Sequence, residues 1–307
     1  MFQATGNRLI RRFDSEILWI EPWGENSLRV RATCEAAMPE TDWALLPAPQ
    51  AQTEIKIENN SAVITNGKIT ATVSRSGKIR FFNQNGKLLL EEFVRDMSQP
   101  EFSRHMRIAA REIRGNIGGA FQAYARFESD PEEKLFGMGQ YQHRQLNKKG
   151  ATLELAHRNS QASVPFFVSS RGYGFLWNNP AIGSVTFATN VTEWHAKRTV
   201  KMDYFITAGD IPAEIEAQYS LATGRTPMMP EYGLGYWQCK LRYRTQEELL
   251  NVAREHKRRG LPLDVIVIDF FHWTLQGDFR FEPRDWPDPE AMVKELHDMG
   301  VETAVSV

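Results

Sequence analysis

The stretch Leu263–Trp273, "LDVIVIDFFHW", decides the fold of the carboxyl-terminal part of this sequence. From Val265 to Ile268 it is apolar without a break, which is typical of a strand in a parallel sheet that is covered on both faces. The run then reaches one acid, Asp269, followed by four ring-bearing residues. We therefore predict a buried strand whose carboxyl end carries an acid among rings.

The segments on either side of this strand predict alternating strands and helices. "YGLGYWQC" is predicted as the preceding strand and "VETAVSV" as the following one. One helix should begin at the N-cap Thr245, with Glu248 as its capping-box partner, and end at Gly260. A second should begin at Asp288 and end at Gly300. This order predicts parallel strands joined by right-handed crossovers.

Such an order fits a small doubly wound domain or the start of a (β/α)8 TIM barrel. The bulky "YWQCKLRYR" after the first strand disfavours a dinucleotide-binding fold, which needs a glycine-rich turn there. A barrel places its active site at the carboxyl ends of its strands. Asp269 would then lie at that rim, while Asp264, at the other end of the same strand, is interpreted as structural.

The sequence up to about residue 228 has a different pattern. Its segments alternate between apolar and polar residues and are separated by "NG" and "SG" turns, which predicts an antiparallel β-sandwich. One short helix is expected near "IPAEIEAQYSLAT". We therefore divide the chain into a β-sandwich domain, 1–228, and the first three strands of a barrel, 229–307.

Composition excludes some classes of partner. The 307 residues carry a formal net charge of −1, so there is no basic surplus to bind nucleic acid and no cationic stretch to bind a membrane. The two cysteines, Cys34 and Cys239, and the lack of a signal-peptide core at the amino terminus predict a cytoplasmic protein. The histidines lack metal-ligand spacing, so no metal site is expected. The oligomeric state is left open.

An acid beside aromatic rings is a composition that suits a sugar site, because rings stack on the C–H patches of sugars and carboxylates bind their hydroxyls. The candidate residues are Asp269, Phe270 and Phe271, with Trp237 and Lys240 at the end of the preceding strand. About two of the four consecutive rings should face the barrel axis. The alternatives are core packing for the rings and a cap or ion pair for the acid.

Two further positions have open interpretations. Cys239 is interpreted as a small buried apolar residue rather than a nucleophile, since no His/Asn arrangement accompanies it. The polar run around His157 is either a loop that reaches over the second domain or a solvated hairpin tip.

Several motifs in one order resemble glycoside hydrolase family 31, which contains α-glucosidases and α-xylosidases. They are "LFGMGQYQHRQLNKKG", "SVPFFVSSRGYGFLWNNP" and the stretch from "MMPEYGLGYWQCK" through "WPDPEAMV". The resemblance implies a galactose-mutarotase-like β-sandwich followed by a (β/α)8 barrel, here an incomplete one. It also implies a retaining, exo-acting α-glycosidase that needs no cofactor and acts on an oligosaccharide or glycoside.

The same resemblance assigns roles to residues. The nucleophile and the acid/base are two Asp residues that follow the fourth and sixth barrel strands, beyond Val307, so we expect the chain alone to be inactive. Asp269 matches the acid that binds sugar hydroxyls in the −1 subsite. Phe271 matches a lining aromatic residue, and Phe270 a residue that tunes the subsite. The loop from His157 to Gln161 matches one that helps to close the pocket.

Three functional questions stay open at this point. The substrates are α-linked xylosides or glucosides, and crowding by Phe270 and Phe271 around C5 would favour xylosides. Transglycosylation and lyase chemistry also occur in the family. The alternatives from other classes are a non-catalytic carbohydrate-binding protein and an aldose-epimerase-like sandwich, which would need a His/Glu pair involving His143 or His157.

Overall fold

The computed structural model describes residues 1–99 and 104–307. The chain divides into two compact units, Met1–Arg225 and Thr226–Val307. The boundary predicted from the sequence was residue 228.

The first unit is built from antiparallel strands. In chain order they are β1 Phe2–Thr5, β2 Arg8–Phe13, β3 Glu16–Pro22, β4 Ser27–Thr33, β5 Glu54–Ile57, β6 Ser61–Asn66, β7 Ile69–Ser74, β8 Ile79–Asn83, β9 Leu88–Glu91, β10 Arg95–Gln99, β11 Arg104–Ile108, β12 Arg111–Asn116, β13 Ala120–Glu128, β14 Leu135–Gln140, β15 Thr152–Leu155, β16 Ala162–Ser169, β17 Tyr173–Trp177, β18 Gly183–Phe187, β19 Val191–Thr199 and β20 Met202–Ala208. The predicted helix near the end of this unit is α1, Pro212–Thr223.

Three larger sheets form the sandwich within the described residues. The eight-stranded sheet has the order β1-β2-β3-β4-β20-β17-β16-β14, one five-stranded sheet the order β12-β13-β19-β18-β15, and the other the order β5-β6-β7-β8-β9. Strands β10 and β11 form a separate ribbon. The prediction of an antiparallel β-sandwich is confirmed.

Period-two alternation explains how the sheets pack. In β6 and β7 every second residue is buried, and the turn between them needs Gly67, whose φ is +55°, a conformation that glycine adopts without a Cβ clash. Inward-facing rings join two sheets: Trp194 of β19 stacks on Phe175 and Trp177 of β17, with ring centroids 5.2 and 5.7 Å apart. The core therefore lies between the sheets.

One ion pair crosses the middle of the eight-stranded sheet. Asp203 of β20 is 0% exposed, and it accepts hydrogen bonds from Arg29 Nε at 3.0 Å and Arg29 Nη2 at 2.6 Å. Asn178 Nδ2 donates a third bond at 3.1 Å. Burial raises the pKa of Asp203, and the Arg29 guanidinium opposes that rise. Both carboxylate oxygens are thus occupied by donors from neighbouring segments.

Replacing the buried acid should therefore destabilise the sandwich strongly. We expect Asp203→Asn to lower the free energy of unfolding by about 3–5 kcal/mol, because it removes the fully buried carboxylate that pairs with Arg29 and with the buried Lys201, and leaves Arg29 only the partly exposed Asp42. Urea denaturation followed by tryptophan fluorescence measures the loss. The control is Asp42→Asn, since Asp42 pairs with the same guanidinium but is 44% exposed, and should cost less than about 1 kcal/mol. Equal losses in the two variants would contradict this account.

The second unit contains a parallel sheet of three strands and two helices. The strands are β21 Trp237–Gln238, β22 Val265–Ile268 and β23 Glu302–Val305, and the helices are α2 Gln246–Arg258 and α3 Pro289–Asp298. Strand β22 is central and pairs in parallel with both neighbours. The predicted alternation of strands and helices is confirmed.

One hydrophobic cluster of this unit is formed by residues from both helices, from β22 and from the loops beside them. They are Tyr243, Leu249, Leu250, Ala253, Leu263, Ile266, Ile268, Trp286, Met292, Leu296 and Val301. The apolar stripes of α2 and α3 therefore cover the sheet, as their periodicity predicts. Within residues 1–99 and 104–307 no helix is long and apolar enough to cross a membrane.

The first predicted strand is much shorter than "YGLGYWQC" suggests. Residues Glu231–Leu234 form a 3₁₀ turn, and only Trp237–Gln238 pair as a strand. A Cβ on Gly235 would lie 2.2 Å from Cγ of Asp264, and Tyr236 N donates to Asp264 Oδ2 at 2.7 Å. Asp264 thus fixes the start of β21, which is the structural role expected for it.

The helix caps follow the sequence signals, with one difference. Thr245 Oγ1 accepts a hydrogen bond from Glu248 N at 3.2 Å, and Asp288 Oδ1 accepts one from Ala291 N at 2.9 Å. The carboxylate of Glu248 accepts its backbone bond from Arg244 N, at 2.7 Å, one residue before the expected partner. The reciprocal half of the predicted capping box is therefore wrong.

Candidate functional site

Asp269 is the first residue after the central strand β22, at its carboxyl end. Its Oδ1 accepts a hydrogen bond from Phe270 N at 2.8 Å, and its Oδ2 lies 3.8 Å from Cys239 Sγ. Within residues 1–99 and 104–307 no lysine, arginine or histidine forms an ion pair with it. A local backbone bond holds one oxygen, while the other has only a weak thiol donor. This carboxylate can accept further hydrogen bonds.

Cys239 is the neighbour of Asp269 that sequence reasoning missed. It is exposed and has no disulfide partner, so the interpretation as a small buried residue is wrong. Partial desolvation of the thiol and the negative charge of Asp269 raise the pKa of Cys239, which favours the protonated thiol that can donate to that carboxylate. Its position just after β21 was the available signal, because parallel strands bring their carboxyl ends to one edge.

The rings after Asp269 do not alternate as a strand would. Strand β22 ends at Ile268, and the next residues form bends. Phe271 is 60% exposed and His272 3% exposed, and His272 Nδ1 lies 3.1 Å from the carbonyl oxygen of Asp269. The expectation that two rings face each way is therefore wrong, since it depended on an extended backbone that is absent here.

Phe271 has an unusual backbone conformation and an exposed ring. Its φ is +68°, a region that bulky residues rarely adopt. The ring meets Phe270 edge to face with centroids 4.7 Å apart, and the guanidinium carbon of Arg242 lies 5.1 Å from its centroid. An exposed aromatic ring thus lies two residues after Asp269 in the sequence.

Trp237 and Lys240 make their contacts with other residues and not with Asp269. Trp237 pairs in register with Val265, at the amino end of β22, and is 47% exposed. Lys240 Nζ donates to Glu248 Oε1 at 2.6 Å, which gives the ammonium an intramolecular partner at the start of α2. Neither contacts the carboxylate of Asp269 through a hydrogen bond or ion pair among the described residues.

His157 belongs to the first unit. It is exposed, and its Nδ1 accepts a hydrogen bond from Ser163 N at 3.3 Å. It borders a groove of about 670 Å³. The lining residues of this groove include Trp43, His157, Asn179 and Tyr219. The loop is therefore an open edge of the sandwich with both polar and aromatic side chains.

Among the described residues, His143 makes no hydrogen bond to the glutamate that an epimerase-like proton-transfer pair would need. Both ring nitrogens of His143 are buried without a hydrogen-bond partner, and the ring stacks on Tyr141 with centroids 5.8 Å apart. In the part of the chain that the structure describes, no group of three or more His, Cys, Asp or Glu side chains could hold a metal ion.

Two family models match the two units in order. The Glycosyl hydrolase 31 N-terminal galactose mutarotase-like domain matches residues 18–185. The Glycosyl hydrolases family 31 TIM-barrel domain matches residues 226–307. The resemblance found in the sequence motifs, and the fold class that it implied, are confirmed.

Relatives extend the match over the whole chain. An uncharacterized family 31 glucosidase of Pseudescherichia vulneris is 51% identical over 311 residues, which cover 98% of this chain and 59% of that protein. An α-xylosidase of Saccharolobus solfataricus is 36% identical over 192 residues, which cover 59% of this chain and 26% of that enzyme. The chain thus spans little more than half the length of the first relative and a smaller share of the second.

A solved structure matches both units. The crystal structure of an α-xylosidase from a soil metagenome, complexed with xylose, is 55% identical and superposes with a TM-score of 0.88, over 100% of this chain and 47% of that one. With a family model over more than half of its residues, a second over its carboxyl-terminal unit and this close structural match, the chain belongs to glycoside hydrolase family 31.

Proposed function

We propose that the whole protein is a retaining, exo-acting α-glycosidase that hydrolyses α-linked xylosides, and that this chain supplies the hydroxyl-binding wall of its −1 subsite. The observation that carries the proposal is the Asp269 carboxylate, which ends the central barrel strand without a cationic partner in the described residues. The buried Asp203, by contrast, has donors within the protein for both of its oxygens. A carboxylate that keeps one oxygen available beside an exposed ring is suited to accept a hydrogen bond from a sugar hydroxyl.

The chemistry requires two carboxylates that act in turn. In a retaining glycosidase one attacks the anomeric carbon, and the other protonates the leaving oxygen and then activates water. The resemblance assigns both to Asp residues after later barrel strands than β23, so we give neither role to a residue of this chain. Asp269 contributes through hydrogen bonds to hydroxyls, which strengthen as the oxocarbenium-like transition state forms.

Xylosides are the proposed substrates, and α-glucosides are the alternative. Support comes from the 55% identical α-xylosidase whose structure holds xylose. Phe270 and the exposed Phe271 would leave little room for the 6-hydroxymethyl group that a glucoside carries at C5. Trp237, Lys240 and His157 are proposed as further substrate-binding residues.

We also propose a cytoplasmic location. Cys34 and Cys239 are both free thiols, as is usual in a reducing compartment.

Asp269→Asn tests the proposed role in hydroxyl binding. In the whole protein, Asp269→Asn should lower kcat/KM for a p-nitrophenyl α-xyloside by at least about 100-fold, or about 2.7 kcal/mol, because a charged acceptor of sugar hydroxyls is lost. The matched control is Asp298→Asn, since the ion pair of Asp298 within the described residues is an exposed one with Lys294, and its loss should leave the rate unchanged.

Two results would decide against the proposal. A fall of less than about tenfold in Asp269→Asn would return Asp269 to a structural role. A parent protein that binds xylose but hydrolyses no α-xyloside or α-glucoside would favour the non-catalytic carbohydrate-binding alternative.

Phe270→Ala tests the proposed selectivity for xylosides. Phe270→Ala in the whole protein should raise kcat/KM for the α-glucoside relative to the α-xyloside, because removing the ring makes room beside C5. The control is Phe279→Ala in the same loop, since Phe279 is 87% exposed. Paired assays on the two p-nitrophenyl glycosides give the ratio, and an unchanged ratio in Phe270→Ala would refute the assignment.

A further inference from the structure

The backbone at Phe271 is strained, and something must hold it there. With φ at +68°, a phenylalanine stays in the left-handed region only when its surroundings determine it, and such residues concentrate at ligand sites. Burial cannot be the main cause, because 60% of the residue is exposed. Two kinds of restraint remain. One is the buried His272 that follows, whose Nδ1 lies 3.1 Å from the Asp269 carbonyl oxygen and whose carbonyl accepts from Glu282 N at 2.7 Å; the other is the set of contacts that the Phe271 ring makes.

The ring has three aromatic or cationic contacts in the described residues. Phe270 lies 4.7 Å away and Trp273 6.2 Å away, measured between ring centroids. Both belong to the same bent segment as Phe271, so they move with it. Arg242 is the one such contact from a different segment, the connection between β21 and α2, with its guanidinium carbon 5.1 Å from the ring centroid. Arg242 therefore connects Phe271 to the end of the neighbouring strand.

The guanidinium of Arg242 has no competing partner. Within residues 1–99 and 104–307 it forms no hydrogen bond and no ion pair. Its charge contributes to lowering the pKa of Asp285, but the main cause is Arg284, which pairs with that carboxylate at 2.8 Å. The direct contact of the charged group is the Phe271 ring, and a cation over an aromatic face is attractive.

We propose that Arg242 is a specificity-determining positioning residue, whose guanidinium stacks on Phe271 and holds that ring as the wall beside Asp269. The inference rests on the proposed function, since it explains how the site would favour α-xylosides over α-glucosides. Arg242 touches neither the reacting atoms nor the hydroxyls. It acts by holding the Phe271 ring in place, which keeps the backbone of Phe271 in the left-handed conformation.

The experiment compares three variants of the whole protein. Arg242→Met keeps the apolar stem and removes the cation, and it should lower the ratio of kcat/KM for the α-xyloside to that for the α-glucoside by about 5–10-fold. Arg242→Lys keeps a cation and should retain most of the selectivity. The control is Arg244→Met, since Arg244 is an exposed arginine two residues further on, and it should leave the ratio unchanged.

A second readout separates this inference from the proposed function. With 4-fluorophenylalanine incorporated at position 271, the ¹⁹F resonance should shift in Arg242→Met and keep its parent position in Arg244→Met. An unchanged resonance or an unchanged selectivity ratio in Arg242→Met overturns the inference. If the parent hydrolyses neither glycoside, the proposed function fails, and the ¹⁹F resonance alone decides whether Arg242 positions the ring.

Discussion

The carboxyl-terminal unit depends on the central position of β22 between two parallel strands. Because both edges of Val265–Ile268 are paired and helices cover the sheet, the strand must be apolar along its length, and its first acid can come only after Ile268. Parallel pairing then brings the end of β21 to the same edge. The proximity of Cys239 to Asp269 follows from that constraint.

Two acids in this chain show how a structural carboxylate differs from one that is available to a ligand. Asp203 is fully buried, and Arg29 and Asn178 donate to its oxygens. Among the residues that the structure describes, Asp269 has a backbone donor for one oxygen and a thiol alone for the other. The first arrangement stabilises the sandwich. The second leaves hydrogen-bonding capacity unused among the described residues, and it lies two residues before the strained backbone of Phe271.

The sequence predicted the order of elements and the position of the acid, because both follow from periodicity and helix-cap signals. It did not predict the conformation of the rings, since the alternation rule holds only inside a strand and β22 ends at Ile268. The left-handed φ of Phe271 and its contact with Arg242 depend on tertiary packing that no pattern encodes. The length of β21 was overestimated because Gly235 and Asp264 restrict the chain before Tyr236.

The most direct test of the central claim is a crystal structure of the whole protein with xylose bound. The account predicts that an oxygen of Asp269 lies within about 3.2 Å of a sugar hydroxyl, with the ring of Phe271 against the sugar. A xylose bound with the Asp269 carboxylate more than about 4 Å from every hydroxyl, or with that carboxylate paired to a lysine or arginine, would contradict it.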